Sequence, residues 1–478
     1  MLKEKKRMFL VKVFTEGKKV VGKAFLSKKR FLVKSHGLLI AICYWNDYIL
    51  IPTITIKRAQ ELKKMQRLCI VCKGSRLLCG QKTCPLLAAL KQKTKFAELS
   101  DKKEFFGPST SVFVGRIGYP CVSVGPMTVL EAAESDIAIE RLEDPGEWFA
   151  HGLGMEQIIE LRSFSLRSKR GEDIKSRSNF VADMAEIALA KQPVDVELTF
   201  KNKPSFNLSF SDVTRPTGAS VNVEKMNVTE NPKIPRKVDR IVSDELRAVE
   251  AAEGLYDLGL DVYKVAVILS SGALGLRSAK KMVPTRWSIT ATDDVIFKKL
   301  AAQIREFPPV DSFYVYESSY MDNHFQILLM PSLFEYENFE AWLPGSVWNN
   351  DALALGQRPV IIEEHEGFKG RKRYATEEGG GYYAVRLAVA EALHTMRRQA
   401  GVVVFREIYP QYFIPLGVWV VRETVRAAFR NKGEKFNTKK EALDFIDSRL
   451  QAKAGLKLRI QDFEVQSAIL RQRRLTDF

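Results

Sequence analysis

No uninterrupted apolar run among these 478 residues reaches the ~18 residues that a membrane-spanning helix needs. The nearest candidate, Gly37 to Ile56, is broken by Asn46-Asp47 and by Pro52. A secretory leader, with its apolar core and small-residue cleavage site, is missing as well. These absences point to an intracellular, cytoplasmic protein. Cysteine is scarce: six in so long a chain make no disulfide scaffold, and four of them lie within 16 residues. Internal repeats of fixed period are lacking too. Acidic residues are nearly missing from the first hundred positions, which hold 23 Lys or Arg against 5 Asp or Glu. The rest of the chain balances 51 basic against 52 acidic residues, so the net charge of +17 belongs to the N-terminal fifth. A polyanion partner is expected there first.

The chain is long enough for one large core or for two to three domains. Residues 1–64 read as a basic β-type extension, with short runs at Met8–Val13, Phe31–Lys34 and Tyr48–Ile56 between Lys-rich turns. The alternative is an appended or mis-started segment. Residues 65–100 form a four-cysteine module, 101–235 and 236–460 two larger regions, and 461–478 a terminal helix and peptide. Strands punctuated by Gly and Pro turns are expected over 105–127. Helices follow at 128–143, 151–162 and 178–190, then a polar irregular connection at 201–235. Beyond it the pattern predicts a helix Val238–Tyr256, strands Tyr263–Ser270 and Pro284–Thr290, and a helix Asp293–Glu306. Further strands are expected at 313–317, 324–330, 402–407 and 416–421, and helices at Gly381–Gln399, 439–452 and 461–473. Thr438 and Glu441 make a capping box for the helix at 439. The mixed order gives an α+β (mixed α/β) fold: a zinc-stapled basic N-terminal module, then a larger body of sheet and helix.

Cys69, Cys72, Cys79 and Cys84 are spaced C-x2-C-x6-C-x4-C. The first pair suits a tight turn that aims both thiolates at one metal, with Gly74 allowing the bend. The second pair completes a tetrahedron. Four thiolates with no open position describe a structural Zn2+ site. Buried free thiols and an iron–sulfur cluster are the alternatives. Lys73, Arg76, Lys82, Lys91, Lys93 and Lys95 surround this module and are expected to hold DNA phosphates.

The last seven residues place Gln472, Leu475 and Phe478 at the spacing of a peptide that binds the sliding clamp (PCNA). Leu475 and Phe478 would fill an apolar groove while Gln472 bonds at its edge. Arg471, Arg473 and Arg474 would complement an acidic clamp surface. An amphipathic final helix docked on its own body is the competing reading. Gly379-Gly380-Gly381 opens a helix, which suits either a phosphate or a close backbone approach. Arg422 and Arg426 share a face if their segment is helical. Asp293, Asp294, Glu335, Glu337, Glu340 and Asp351, with His324 and His365, are the residues from which a divalent-metal nuclease site would be drawn, although no spacing is diagnostic.

Cys69–Pro85, Gly107-Pro108-Ser109 with Val112–Gly118, and Pro193–Glu197 occur in one order with three longer words, Val283–Asp294, Gly379–Arg386 and Pro415–Arg426. Over residues 65–478 the chain resembles the archaeal Nre family of DNA repair proteins. The resemblance implies a cytoplasmic archaeal protein of DNA damage repair that engages the sliding clamp through its C-terminal peptide. It also implies an N-terminal four-cysteine zinc finger. It supplies no catalytic residue. The chain departs from the family pattern in ending on one aromatic residue and in carrying residues 1–60. Three readings follow: a clamp-recruited repair factor that binds DNA through its basic zinc-bearing region, a structure-specific metal-dependent nuclease, and a repair scaffold that does not touch DNA.

Overall fold

The computed structural model describes residues 69–74, 76–80, 84, 87, 103–129, 143–205, 209–349, 359–454 and 458–472, and the backbone of 8–15, 18–27, 30–35 and 38–42. The earliest of these form an antiparallel meander, β1 (Met8–Thr15), β2 (Lys18–Ser27), β3 (Arg30–Ser35) and β4 (Leu38–Ile42). Two of the three expected β runs fall on β1 and β3. The third, Tyr48–Ile56, lies outside the described residues.

A closed barrel follows. Its strands are β5 (Glu104–Val114) and β6 (Cys121–Val129), then, after helices α1 (Pro145–Ala150) and α2 (Met155–Ser163), β7 (Ser165–Asp173). Helix α3 (Asn179–Leu189) separates β7 from β8 (Val194–Phe200), and β9 (Ser220–Val228) completes the ring. The order is β5-β6-β7-β9-β8, antiparallel throughout except where β7 and β9 run parallel at Arg167↔Ser220. In order of sequence the ring reads first-second-third-fifth-fourth, with a helix between the third and fourth strands. This is the arrangement of the OB-fold. Strand alternation makes the interior: Val194, Val196, Leu198 and Phe200 of β8 point inward, as do Val112, Val114, Val122, Val124 and Leu166. Phe180, Met184 and Ile187 of α3 close the barrel's end.

The body begins with α4 (Arg236–Ser243), α5 (Ala248–Asp257), α6 (Val262–Ser271) and α7 (Thr285–Ile304). Its sheet is built from β10 (Phe313–Tyr320), β11 (Asn323–Met330), β12 (Glu335–Trp342), β13 (Val360–Glu366), β14 (Gly401–Ile408) and β15 (Glu434–Phe436). The order is β13-β12-β14-β11-β10-β15, with β12 and β14 parallel. Helices α8 (Gly380–Met396) and α9 (Trp419–Arg430) join α7 on one face. Helices α10 (Lys439–Ala454) and α11 (Ile460–Glu464) cover the other. Central β14 therefore sends Val402 and Val404 to one layer and Val403 and Phe405 to the other. Each such side chain, once buried, contributes about 1.5–3 kcal/mol. Among the described residues no helix is long and apolar enough to cross a membrane.

The α+β class agrees with the sequence reading, and so does the capping box: the Glu441 amide donates to Thr438 Oγ at 3.2 Å and the Thr438 amide to Glu441 Oε2 at 3.1 Å. Several elements differ. Tyr263–Ser270 is helical, not extended. Asp261 caps it by accepting the Tyr263 amide at 2.8 Å, and Gly272 closes it at φ +83°. Helix α6 is buried over most of its circumference because it is wedged between neighbours. Val267 faces the barrel, Val262 the sheet layer, and Val265 and Ile268 face α5 and α7. A short apolar run of this kind carries no period that separates strand from helix. Pro284–Thr290 is not a strand either; Pro284 caps the continuous helix α7. Residues 416–421 run into α9, and the helix expected over Val238–Tyr256 is two. Helix α11 stops at Glu464 and turns follow it.

Candidate nucleic-acid interface

A cleft of about 370 Å3 opens at the mouth of the barrel. The β5–β6 loop supplies Gly115, Arg116 and Ile117; β7 supplies Arg167 and Lys169; the long β8–β9 connection supplies Ser211, Asp212 and Thr214. Arg286, at the start of α7, lines it from the body, and Lys73 and Gly74 from the cysteine module. The second and third strands of an OB barrel, with its first and last loops, form the face that takes oligonucleotides. Those are the elements that line this cleft.

Strand alternation puts the cations there. Leu166 and Ser168 of β7 turn inward, so Arg167 and Lys169 turn out. The Arg167 guanidinium lies 3.8 Å from the centre of the Phe113 ring and donates to Ser123 Oγ at 3.2 Å. Its Nε is buried without a hydrogen-bond partner. Burial lowers the Arg167 pKa to about 10. Burial and then Arg167 lower that of Lys169. Burial and then Arg286 lower that of Arg116. Cations destabilised by one another and by lost water favour an anion. One carboxylate, Asp212, faces them among the described lining residues, and Arg286 grips it in a fork with Nη1–Oδ1 at 2.7 Å and Nη2–Oδ2 at 3.0 Å.

The cysteine module abuts this cleft. Gly74 has φ +67°, and a Cβ there would stand 2.7 Å from Leu87 Cδ1 and 3.0 Å from Trp348, so the bend expected of it is present. The Lys73 amide donates to Cys69 O at 2.8 Å, and the Arg76 amide to Cys72 O at 3.3 Å. Cys72 is buried, Cys79 exposed, and Cys69 and Cys84 lie between. The four-thiol set suits zinc by its chemistry. Among the described residues no three His, Cys, Asp or Glu side chains gather where a metal ion would sit.

The predicted phosphate-binding lysines divide. Lys73 is buried, and its ammonium donates to Glu340 Oε2 at 2.7 Å and to Glu378 O at 2.8 Å. Its charge is thus directed into the body and away from a phosphate. Arg76 donates to Thr376 O. Lys82, Lys91, Lys93 and Lys95 lie outside the described residues.

The acidic candidates are held apart by partners of their own. Asp293 is gripped by Arg422 at 2.6 Å, Asp294 by Arg386 at 2.5 Å and Lys298 at 2.6 Å, and Glu340 by Lys73 and Arg406, both at 2.7 Å. His324 pairs with Glu407 at 2.8 Å. Asp351 lies outside the described residues. The glycine-led helix start is a close approach: a Cβ on Gly380 would meet Val213 at 2.9 Å, and one on Gly381 the Glu340 carboxylate at 3.1 Å.

At the C-terminal end, Glu337 is fully buried and accepts from the Ser467 hydroxyl and from the amides of Ala468 at 2.6 Å and Ile469 at 3.4 Å. Lys439 holds Leu470 O at 2.6 Å. Leu470 is the last buried side chain described; Arg471 and Gln472 are exposed. Leu475 and Phe478 lie outside the described residues.

Sequence reading did not gather Arg116, Arg167, Lys169 and Arg286 into a site, because the four are spread over 170 positions. Arg116 and Arg286 each lie within a word that carries the family resemblance, Val112–Gly118 and Val283–Asp294, which is the available signal.

The family pattern described as "Archaeal Nre, N-terminal" matches residues 78–349, and "Archaeal Nre, C-terminal" matches residues 366–478. The chain is similar to two proteins of Archaeoglobus fulgidus: DNA repair protein NreB, 36% identical over 81% of this chain and 94% of the relative, and DNA repair protein NreA, 36% identical over 80% and 94%. It is also 36% identical to DNA repair protein NreA of Haloferax volcanii, over 68% of this chain and 78% of the relative. No solved structure matches it. With both family patterns present in order and relatives matched along most of their length, the chain belongs to the archaeal Nre family.

Proposed function

We propose that this Nre protein is a cytoplasmic DNA repair factor that holds DNA in the barrel-mouth cleft. The observation that carries this reading is the cation surplus on the OB face: Arg116, Arg167, Lys169 and Arg286 against Asp212 alone among the described lining residues. The names of the relatives supply the repair context, and the basic first hundred residues would extend the attraction for a polyanion. A salt series of DNA binding tests it. Arg167→Ala with Lys169→Ala should flatten the slope of log affinity against log salt by about 1–2 and weaken binding at every sequence alike. Unchanged affinity in a folded double variant removes the cleft from DNA binding.

Two further elements belong to the proposal. Gln472, Leu475 and Phe478 bind the sliding clamp (PCNA), supported by their spacing and by the exposure of Arg471 and Gln472. Removing residues 471–478 should end clamp capture and leave the melting temperature in place. Cys69, Cys72, Cys79 and Cys84 hold one structural Zn2+, supported by the four-thiol donor set and by left-handed turns at Lys73-Gly74 and at Leu77. Elemental analysis of protein purified without chelator should give one zinc per chain, lost in Cys72→Ser with Cys84→Ser.

A further inference from the structure

Two part-exposed aromatic side chains lie close in sequence to residues that line the cleft. Tyr119 follows the cleft-lining Arg116 by three residues, and Trp287 follows Arg286 by one. They remain 45% and 44% exposed, and their rings contact each other at 5.2 Å between centroids, tilted by 54°. Ile117, in the same loop, is 89% exposed. Large apolar side chains gathered at one edge of a cationic recess need a partner with both apolar faces and negative charge. Loop and helix place them there independently: Gly118, at φ +85°, turns the β5–β6 loop, and Pro284 starts α7.

We propose that the cleft takes single-stranded DNA, with an unpaired base stacked on the Tyr119–Trp287 pair and the adjoining phosphates on Arg167, Lys169 and Arg116. This deepens the preceding reading and rests on it. In a duplex the base faces are covered by their neighbours in the stack, so two exposed rings have nothing to gain from it. An unpaired strand offers a face at every nucleotide, and its backbone follows a positive groove. The recess is also of the size that takes small ligands, which suits a nucleotide unit and not a double helix.

The experiment compares an oligo-dT strand with a duplex of equal length, using the full chain, at one salt concentration. Stacking of a base on a side chain predicts a loss of about 5- to 150-fold in single-strand affinity for Tyr119→Ala with Trp287→Ala, and little change for the duplex. Tyr119→Phe with Trp287→Phe should restore most of the affinity. Because the rings touch each other, the alanine variants are checked by thermal melting. If they unfold, the intact protein is titrated with oligo-dT and the fluorescence quench is compared with that of Trp287→Phe; a quench absent from the variant supports stacking, and an equal quench overturns it. Equal loss for strand and duplex, or no loss, overturns single-strand stacking. The parent reading then stands if Arg167→Ala with Lys169→Ala still weakens binding, and falls if that variant binds like wild type.

Discussion

The Lys73 ammonium lies 2.7 Å from Glu340 Oε2, 267 residues away in sequence, and fastens the cysteine module to the body. Arg406 holds the other carboxylate oxygen at 2.7 Å, and Trp342 Nε1 donates to Oε2 at 3.1 Å. Burial alone would raise the Glu340 carboxyl; Lys73 and Arg406 outweigh it and hold the group below its ordinary range. Glu340→Gln would leave two cations buried against a neutral amide, at a cost of about 3–5 kcal/mol. Lys73→Met, which keeps the Arg406 contact, should cost about 1–3 kcal/mol. Denaturant unfolding of the two variants checks the order; a larger loss in Lys73→Met would show that Glu340 is not the centre of the network.

Glu337 anchors the C-terminal segment through one hydroxyl and two amides. Glu337→Ala should release residues 467–470, raising amide exchange there with the barrel unaffected. The expected loss of stability is about 1–3 kcal/mol, since buried donors are left unsatisfied. Exchange that rises uniformly across the chain would contradict a local anchor.

Half-buried Glu363 has its pKa raised from 4.5 to about 7 by burial and by Glu337 and Glu364. A carboxyl raised in the folded state binds its proton more tightly there than in the unfolded chain. Its contribution is complete below about pH 4.5 and disappears as pH rises through 7. Thermal melts should therefore show Glu363→Gln neutral near pH 5 and stabilising near pH 8. A benefit confined to the acid side would reverse the assignment.

Asp212 neutralises Arg286 at the cleft's edge. Asp212→Asn keeps the shape and frees the charge. It should tighten DNA binding several-fold at low salt and steepen the salt slope by about 1. Weaker binding by a normally melting variant would mean that Asp212 orients Arg286 for its contact.

What was legible in the sequence was local. The Thr438–Glu441 box and the strands at 324–330 and 402–407 follow from short-range pattern. Helix α6 reads as a strand because apolar residues spread over most of its circumference erase the period that distinguishes helix from strand. The cleft was not legible, because four cations that converge from a loop, a strand and a helix leave no spacing to read. Overall charge misled in the same way. Beyond residue 100 basic and acidic residues nearly balance, yet a net count says nothing of where charge gathers: Asp293 is paired inside the body with Arg422, while Arg116, Arg167, Lys169 and Arg286 share the cleft with Asp212.

Val267 of α6 and Met282 pack in one hydrophobic cluster with the barrel's side chains, and the Val114 amide of β5 donates to Thr285 Oγ at 2.9 Å at the head of α7. Barrel and body thus pack directly on each other, and the cleft's two sides, Arg167 on one and Arg286 on the other, are fixed before any ligand arrives. The ordering entropy of that geometry is spent in folding, not in binding. Affinity should therefore arise in a single diffusional step without a slow closing phase, and an excised barrel would lose both the second wall of the cleft and the apolar cover that Val267 and Met282 give it.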